Sequence, residues 1–166
     1  MGIETLQKQI VEAILSHEND LLRCLLPKPE DCFDGDGQPF IHTATMFNNP
    51  VAVRILSEQG CATDAVWDND TALAIACGDG NADCARVLIE FGANVNWQQE
   101  NGVTPLMSAV IACSEEVVEI LLSSGADPAI ATRDGFRAID FAGDCENKGI
   151  GDKIWNAMQP KLTDED

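Results

Sequence analysis

A six-residue pattern recurs along this chain at a fixed interval, and a periodicity of this kind leaves few folds open. The pattern reads TALAIA from Thr71, TPLMSA from Thr104 and, in a degraded form, RAIDFA from Arg137, so that these copies start 33 residues apart. A further copy, PFIHTA, starts at Pro39, 32 residues before Thr71. A constant period of this length predicts stacked supersecondary units, each of which buries its apolar face against the next.

Within each unit, the spacing of apolar residues predicts two short helices that end at a glycine. Between Thr104 and Leu122, apolar side chains recur three or four residues apart in two blocks, as in two amphipathic helices joined by a tight turn. Gly60, Gly92 and Gly125 each lie 21 residues after the start of their copy. Because glycine readily adopts the left-handed conformation that ends many helices, these residues mark the end of each second helix.

Pairs of an aspartate or asparagine with a glycine lie between the units and predict hairpin-like turns. These pairs are Asp36-Gly37, Asn101-Gly102 and Asp134-Gly135. Each unit is therefore predicted to run turn, helix, turn, helix, and the fold class is predicted to be an all-α solenoid.

The repeated unit resembles the ankyrin repeat, which opens with Thr-Pro-Leu-His-x-Ala and closes with Leu-Leu-x-x-Gly-Ala. The most complete matches are TPLMSA from Thr104 and LLSSGA from Leu121, and the resemblance covers about residues 8–158. It implies an all-α ankyrin-repeat solenoid of helix-turn-helix units joined by β-hairpin-like fingers. We expect one domain over residues 1–158, with units at about 4–35, 36–67, 68–100, 101–133 and 134–158, of which the first and last are caps, and an acidic tail at 159–166.

One departure from the family pattern concerns His42, the only histidine at the fourth place of the motif. Its unit has Pro39 where the family has the threonine whose hydroxyl bonds the histidine ring, so this bond is expected to be absent. Thr71 and Thr104 have the hydroxyl but lack the histidine.

Charge composition restricts the class of partner. The chain has 166 residues, of which 28 are Asp or Glu and 10 are Lys or Arg, giving a net charge of −18. Such a charge repels nucleic acids and anionic membranes and favours a basic protein partner. The sequence has no apolar run long enough to span a bilayer and no basic-then-apolar leader, and Leu6 stands where an N-myristoylation motif needs Ser or Thr. We therefore expect a cytoplasmic protein that is monomeric when free.

The seven cysteines form an odd set without a Cys-x-x-Cys pair, which argues against both a disulfide framework and a zinc site. A reducing compartment is the interpretation that fits. Cys61, Cys77, Cys84 and Cys113 are interpreted as small buried side chains, and Cys32, in the charged first connection, is expected to be the most exposed.

The sequence predicts no enzyme, no cofactor and no metal site. Asp79, Asn81, Asp83 and Glu90 have the spacing of a calcium loop, but Cys84 occupies the place that needs glycine, and the segment belongs to a predicted helix. Nucleotide-binding and nucleophile motifs are absent, and the chain has only two histidines.

The resemblance also carries the variable binding positions of ankyrin fingers and first helices onto this chain. Large apolar residues and carboxylates occur together there, as they do in interface hot spots. The predicted partner-binding residues are Asp36, Gln38, Met46, Phe47, Trp67, Asp68, Asp70, Asp79, Glu100, Val103, Ile111, Arg133, Asp134 and Phe136. The alternative is that Met46 and Phe47 fill the gap between helices and that Trp67 folds back onto its own finger.

Two functional hypotheses follow. The first is a non-enzymatic protein-protein interaction module that binds a basic protein or segment through its acidic, aromatic-studded concave and finger surface. The second is an immunity or inhibitor-type protein that occludes a basic enzyme or toxin. Separately, Leu88 with Val95-Asn96 resembles the ankyrin pattern that an animal asparagine hydroxylase accepts, and the sequence leaves open whether Asn96 is hydroxylated.

Overall fold

The computed structural model describes residues 3–25, 32–145 and 148–159, and these are mostly helical. Short helices follow one another in pairs. They are α1 Ile3–Leu15, α2 Asn19–Leu25, α3 Phe40–Met46, α4 Pro50–Glu58, α5 Ala72–Gly78, α6 Ala82–Glu90, α7 Pro105–Ile111, α8 Glu115–Ser123, α9 Ala138–Phe141 and α10 Lys148–Met158, with a 3₁₀ turn at Ala142–Asp144 between the last two. Strands β1 Val66–Trp67 and β2 Asp70–Thr71 pair as an antiparallel hairpin.

The helices stack in two rows. The first helices of successive units, α1, α3, α5, α7 and α9, each contact the next, and so do the second helices, α2, α4, α6, α8 and α10. Fully buried Ala44, Ala76 and Ala109 occur in α3, α5 and α7, and their small side chains allow the first helices to approach closely. This two-row arrangement confirms the predicted all-α solenoid.

Threonines at the recurring motif start the first helices. Thr71 Oγ1 accepts a hydrogen bond from the amide of Ala74 at 3.2 Å, and Thr104 Oγ1 accepts one from the amide of Met107 at 3.3 Å. These bonds satisfy backbone donors that have no partner within a seven-residue helix. Pro39, at the same place before α3, provides no such bond.

Left-handed residues occur at the predicted helix ends and also in the turn within each unit. Gly60, Gly92 and Gly125 have φ values of 86°, 86° and 90°, which confirms their predicted role. In the turn between paired helices, Asn48 and Cys113 have φ values of 47° and 52°. Cysteine is uncommon in this left-handed conformation, so backbone preference alone does not explain why residue 113 is a cysteine.

Buried Asn49 links the first two units. Its side-chain oxygen accepts from the amide of Ala52 at 3.0 Å and so caps α4, while its Nδ2 donates to the carbonyl of Ile14 at 3.1 Å. The Asn49 side chain is only 1% exposed, and both its amide oxygen and its amide nitrogen have a hydrogen-bond partner.

The prediction that the cysteines form no disulfide was wrong. Cys32 is bonded to Cys61 and Cys113 to Cys145, each pair with Cα atoms 5.6 Å apart. The partners lie 29 and 32 residues apart, and stacking brings residues about one unit apart into contact, so that no local motif is needed. The inference of a reducing compartment thereby loses its main support.

Of the burial predictions for individual cysteines, some were wrong and others are confirmed. Cys32, expected to be exposed, is buried at 5%, whereas Cys113, expected to be buried, is exposed. Cys77 and Cys84 are buried and free, as predicted. The predicted acidic tail, apart from Gln159, lies outside the described residues.

None of the helices in the described segments is long and apolar enough to cross a membrane.

Candidate protein-binding surface

A finger precedes each first helix from the second unit onward. We define the four fingers as residues 33–39, 66–71, 99–103 and 131–137. The first and last are closed by isolated bridges, Phe33 with Pro39 and Ala131 with Arg137, and the second is the β1–β2 hairpin. The third is closed by a 2.9 Å hydrogen bond from the amide of Gln99 to the carbonyl of Val103.

Each finger contacts the next, so the fingers form a continuous row. The indole of Trp67 covers Gly37 in the preceding finger, with ring carbons 3.6 and 3.9 Å from the position that a Cβ atom of residue 37 would take. Between the second and third fingers, Gln99 Nε2 donates to Asp70 Oδ1 at 2.5 Å and the amide of Glu100 donates to Asn69 Oδ1 at 3.1 Å.

The third and fourth fingers touch through their backbones. The amide of Arg133 donates to the carbonyl of Asn101 at 3.0 Å. A Cβ atom added to Gly102 would lie 2.9 Å from the Cα atom of Thr132. This contact requires glycine at position 102 because no side chain fits there.

The predicted apolar binding residues are accessible to solvent. Met46, Phe47, Ile111 and Phe136 are 54%, 52%, 57% and 53% exposed, and Trp67 is 37% exposed. Their exposure disfavours the interpretation that Met46 and Phe47 fill a gap between helices. Among the predicted polar residues and Val103, the exposed ones are Asp36, Asp68, Asp79, Glu100, Arg133 and Asp134, and the partly buried ones are Gln38, Asp70 and Val103.

The structure brings some of these residues together in a cavity of about 180 Å³ between the first two fingers and helices α3 and α5. Five predicted residues line it, namely Gln38, Met46, Trp67, Asp68 and Asp70. His42 and Ile75 also line it, although the sequence pattern gave them only structural roles. Phe136, by contrast, lies in the last finger and packs on Phe141, with ring centroids 6.1 Å apart.

A second cavity, of about 630 Å³, lies between α1 and the first finger. Four acidic residues line it, Glu4, Glu12, Asp34 and Asp36, together with one lysine, Lys8. Only Asp36 of these was predicted from the sequence, since the first unit, which contributes Glu4, Lys8 and Glu12, lacks the motif that aligns the other units. The charge of α1 beside the first finger is the signal that would have revealed this cavity.

His42 connects α3 to the second finger and is fully buried. Its Nε2 lies 3.1 Å from the carbonyl oxygen of Asp70, and because a carbonyl only accepts, Nε2 carries the proton. Among the described residues, Nδ1 has no hydrogen-bond partner, as the substitution by Pro39 predicts. Burial lowers the pKa of the ring, while the hydrogen bond to Asp70 acts in the opposite direction.

Basic residues are concentrated on the second helices, where they pair with carboxylates of neighbouring units. The pairs are Arg23–Glu58 at 3.4 Å, Arg54–Glu90 at 2.6 Å, Arg86–Glu116 at 2.9 Å, and Lys153 with Glu115 at 2.9 Å and with Glu119. Hydrogen bonds from Arg54 lower the pKa of Glu90. The Glu90 carboxylate therefore takes part in this row of ion pairs and does not act as a ligand in a calcium loop.

Several carboxylates on or beside the fingers and first helices have no such partner. The side chains of Asp36, Asp68, Asp79, Glu100 and Asp134 form no hydrogen bond or ion pair with any other residue that the structure describes. The cross-unit ion pairs therefore lie along the second helices, whereas these five carboxylates have no counterion within the described residues.

Nucleophilic and metal chemistry find little support in the geometry. Burial raises the pKa of Cys77. Burial, and to a smaller extent the charge of Asp83, raises the pKa of Cys84 to about 12. Both thiols therefore stay protonated at neutral pH. Within residues 3–25, 32–145 and 148–159, no three His, Cys, Asp or Glu side chains are placed to hold a metal ion.

Comparison with known proteins agrees with this architecture. Residues 59–132 match a family model described as ankyrin repeats in three copies. Human BCL-6 corepressor-like protein 1 and human 2-5A-dependent ribonuclease are each 43% identical to this chain over 72 residues, which is 43% of this chain but only 4% and 10% of those proteins. Human NF-kappa-B inhibitor epsilon is 32% identical over 122 residues, or 64% of this chain and 24% of that protein. These matches support ankyrin repeats over residues 59–132, and the chain spans a small part of each of these relatives.

Proposed function

We propose that this ankyrin-repeat protein is a non-enzymatic binding module that docks a basic protein or segment on its finger row and first helices. Ankyrin repeats generally mediate protein–protein interactions. The observation that carries the proposal is the separation of charge, since cations pair with carboxylates along the second helices while finger carboxylates such as Asp68 and Glu100 have no counterion within the described part of the chain.

Charge and apolar contact have different roles in such a complex. Unpaired carboxylates accelerate association with a basic partner and select against acidic ones. Exposed Phe47, Trp67 and Phe136 provide most of the binding energy, because large aromatic side chains dominate interface energetics. Truncating one such anchor costs about 2 kcal/mol of binding or more.

A catalytic role has less support. Ankyrin repeats are generally non-catalytic, and the similarity to the 2-5A-dependent ribonuclease covers 10% of that protein. The activity in that relative's name therefore does not transfer to this chain.

The similarity to NF-kappa-B inhibitor epsilon, which covers 64% of this chain, favours a second candidate function of the inhibitor type. In that case the finger row would cover the working surface of a basic enzyme or toxin. A purified partner distinguishes the two, because an inhibitor abolishes the partner's activity at equimolar concentration whereas a scaffold leaves it intact.

The proposal is tested by affinity capture from native lysate at about 50 mM and about 500 mM salt, followed by calorimetry on each purified candidate partner. The wild type is compared with a Phe47→Ala, Trp67→Ala double variant and with Trp155→Ala, which removes a 59% exposed tryptophan from α10. A basic protein that binds wild type and Trp155→Ala alike, but binds the double variant at least tenfold more weakly, would support the proposal. Equal affinity for all three forms would overturn it.

A further inference from the structure

The cavity between the first two fingers combines apolar side chains with two carboxylates. Trp67, Met46 and Ile75 contribute an indole, a thioether and an aliphatic chain, while Asp68 and Asp70 contribute negative charge. No lysine or arginine is among the described residues that line it. A flat aromatic group beside carboxylates is complementary to a cation that is both planar and charged.

The hairpin fixes the relative positions of these groups. Trp67 and Asp70 are directly opposed in the β1–β2 ladder, so their side chains leave the hairpin on the same face. The loop between them, Asp68 and Asn69, has φ values of 49° and 63°, as in a type I′ turn. Asp70 is further held by the 2.5 Å hydrogen bond from Gln99 in the next finger.

Trp67 is positioned by the preceding finger. Its ring lies over Gly37, whose φ of 87° and missing side chain leave room for the indole. The side chain nevertheless remains 37% exposed. A ring that is held in place but accessible loses little conformational entropy when a ligand stacks on it.

The polar groups of the cavity leave its negative charge uncompensated. His42 is buried with a lowered pKa and is neutral at pH 7, so it does not repel a cation. The amide nitrogen of Gln38 is directed to Thr43 Oγ1 at 3.3 Å and to Met46 Sδ at 3.6 Å. The Asp68 carboxylate has no hydrogen bond or ion pair within the described residues.

We propose that this cavity binds an arginine side chain of the basic partner, with the guanidinium stacked on Trp67 and hydrogen-bonded to Asp68 and Asp70. The inference rests on the proposed function and assigns the chemistry of one subsite within it. Arginine is favoured over lysine because its planar group stacks on an aromatic ring and donates in a fixed fork at the same time, whereas an ammonium group is compact and strongly hydrated.

The test uses capped hexa-arginine and hexa-lysine peptides, titrated into the full chain at low salt and followed by fluorescence anisotropy. Both peptides carry the same charge, so a difference in affinity reports the geometry of the cation. We expect hexa-arginine to bind about fivefold tighter or more, and Trp67→Ala to remove that preference while Trp155→Ala retains it. Circular dichroism verifies that each variant is folded.

A second pair of variants examines the carboxylate. Asp68→Asn should weaken hexa-arginine binding about fivefold or more, whereas Asp152→Asn, which removes the same charge from an exposed site on α10, should have a much smaller effect. Equal losses in these two variants, or an arginine preference that survives Trp67→Ala, would overturn the arginine subsite while leaving the basic-partner proposal standing. Failure of both peptides to bind the wild type would overturn both proposals.

Discussion

Restoring the family threonine at position 39 should stabilise the protein. Thr71 and Thr104 each accept from the amide three residues on, and for position 39 that amide belongs to His42. A Pro39→Thr hydroxyl would therefore lie beside His42, where it can accept from the backbone amide and donate to Nδ1, the buried acceptor that has no partner among the described residues.

The expected gain is the difference between two favourable contributions and one loss. A threonine cap contributes about 0.5 kcal/mol at this position, because the His42 amide already donates to the carbonyl of residue 39 at 2.9 Å. Satisfying a buried acceptor contributes about 1 kcal/mol or more. Losing proline costs about 0.4–1 kcal/mol, because the unfolded chain becomes more flexible. The net increase in unfolding free energy is about 0.5–1 kcal/mol, or a rise in Tm of about 1–4 °C.

Pro39→Val is the matched control, since valine has the shape of threonine without the hydroxyl. Urea denaturation followed by circular dichroism should rank Thr above Val by about 1.5 kcal/mol, the sum of the two contributions from the hydroxyl. The reasoning would be refuted by equal stability of the two variants. It would also be refuted if Thr exceeded Val equally in a His42→Ala background, because the bond to Nδ1 would then contribute nothing.

The difference in stability between Pro39→Thr and Pro39→Val should depend on pH. Burial lowers the pKa of His42 below its unfolded value of 6.5, so the unfolded state binds the proton more readily. The contribution of the neutral ring is complete above pH 6.5 and is lost as pH falls through the lower folded-state pKa. The advantage of Thr over Val should therefore be constant above pH 6.5 and shrink at lower pH.

Two further predictions concern backbone contacts and cross-links. Gly102→Ala should destabilise the protein by about 2–5 kcal/mol, and Gly135→Ala by only about 1–2 kcal/mol. Both glycines have positive φ, but of the two only Gly102 faces backbone atoms within 3 Å. Urea denaturation of both variants measures the two losses, and equal losses would contradict the prediction. Cys145→Ser should lower the unfolding free energy by about 3 kcal/mol under non-reducing conditions, and the loss should largely vanish when both proteins are reduced. Persistence of the full difference under reduction would show that the Cys113–Cys145 bond is not its source.

Most of the fold was predictable because the 33-residue period and the helix signals agree with each other. Thr71, Thr104 and the glycines after the second helices behave as their positions predict. That His42 Nδ1 has no partner among the described residues was predictable as well, because Pro39 stands where the family has threonine. Local motifs were sufficient in these cases because the contacts they specify lie within one unit.

The candidate site was predictable only as a set of positions. The sequence placed Trp67, Asp68 and Asp70 on one finger, but not the covering of Gly37 by the indole or the hydrogen bond from Gln99 that fixes Asp70. These contacts join different units, so a comparison of aligned positions does not reveal them. The acidic cavity beside α1 was missed for a related reason, since the first unit lacks the motif that locates a finger.

The ion pairs, hydrogen bonds and disulfides that were not predicted from the sequence join residues at a similar separation along the chain. Cross-unit ion pairs such as Arg54–Glu90 join residues 30–38 apart, Asn49 bonds a carbonyl 35 residues away, and the disulfides span 29 and 32 residues. A solenoid places residues about one period apart in contact, so complementary residues at that separation are the motif to seek. Applied to charges, this rule pairs the arginines of the second helices with carboxylates and finds no cation for Asp68. The unpaired charge of Asp68 thus follows from the same periodicity that determines the fold.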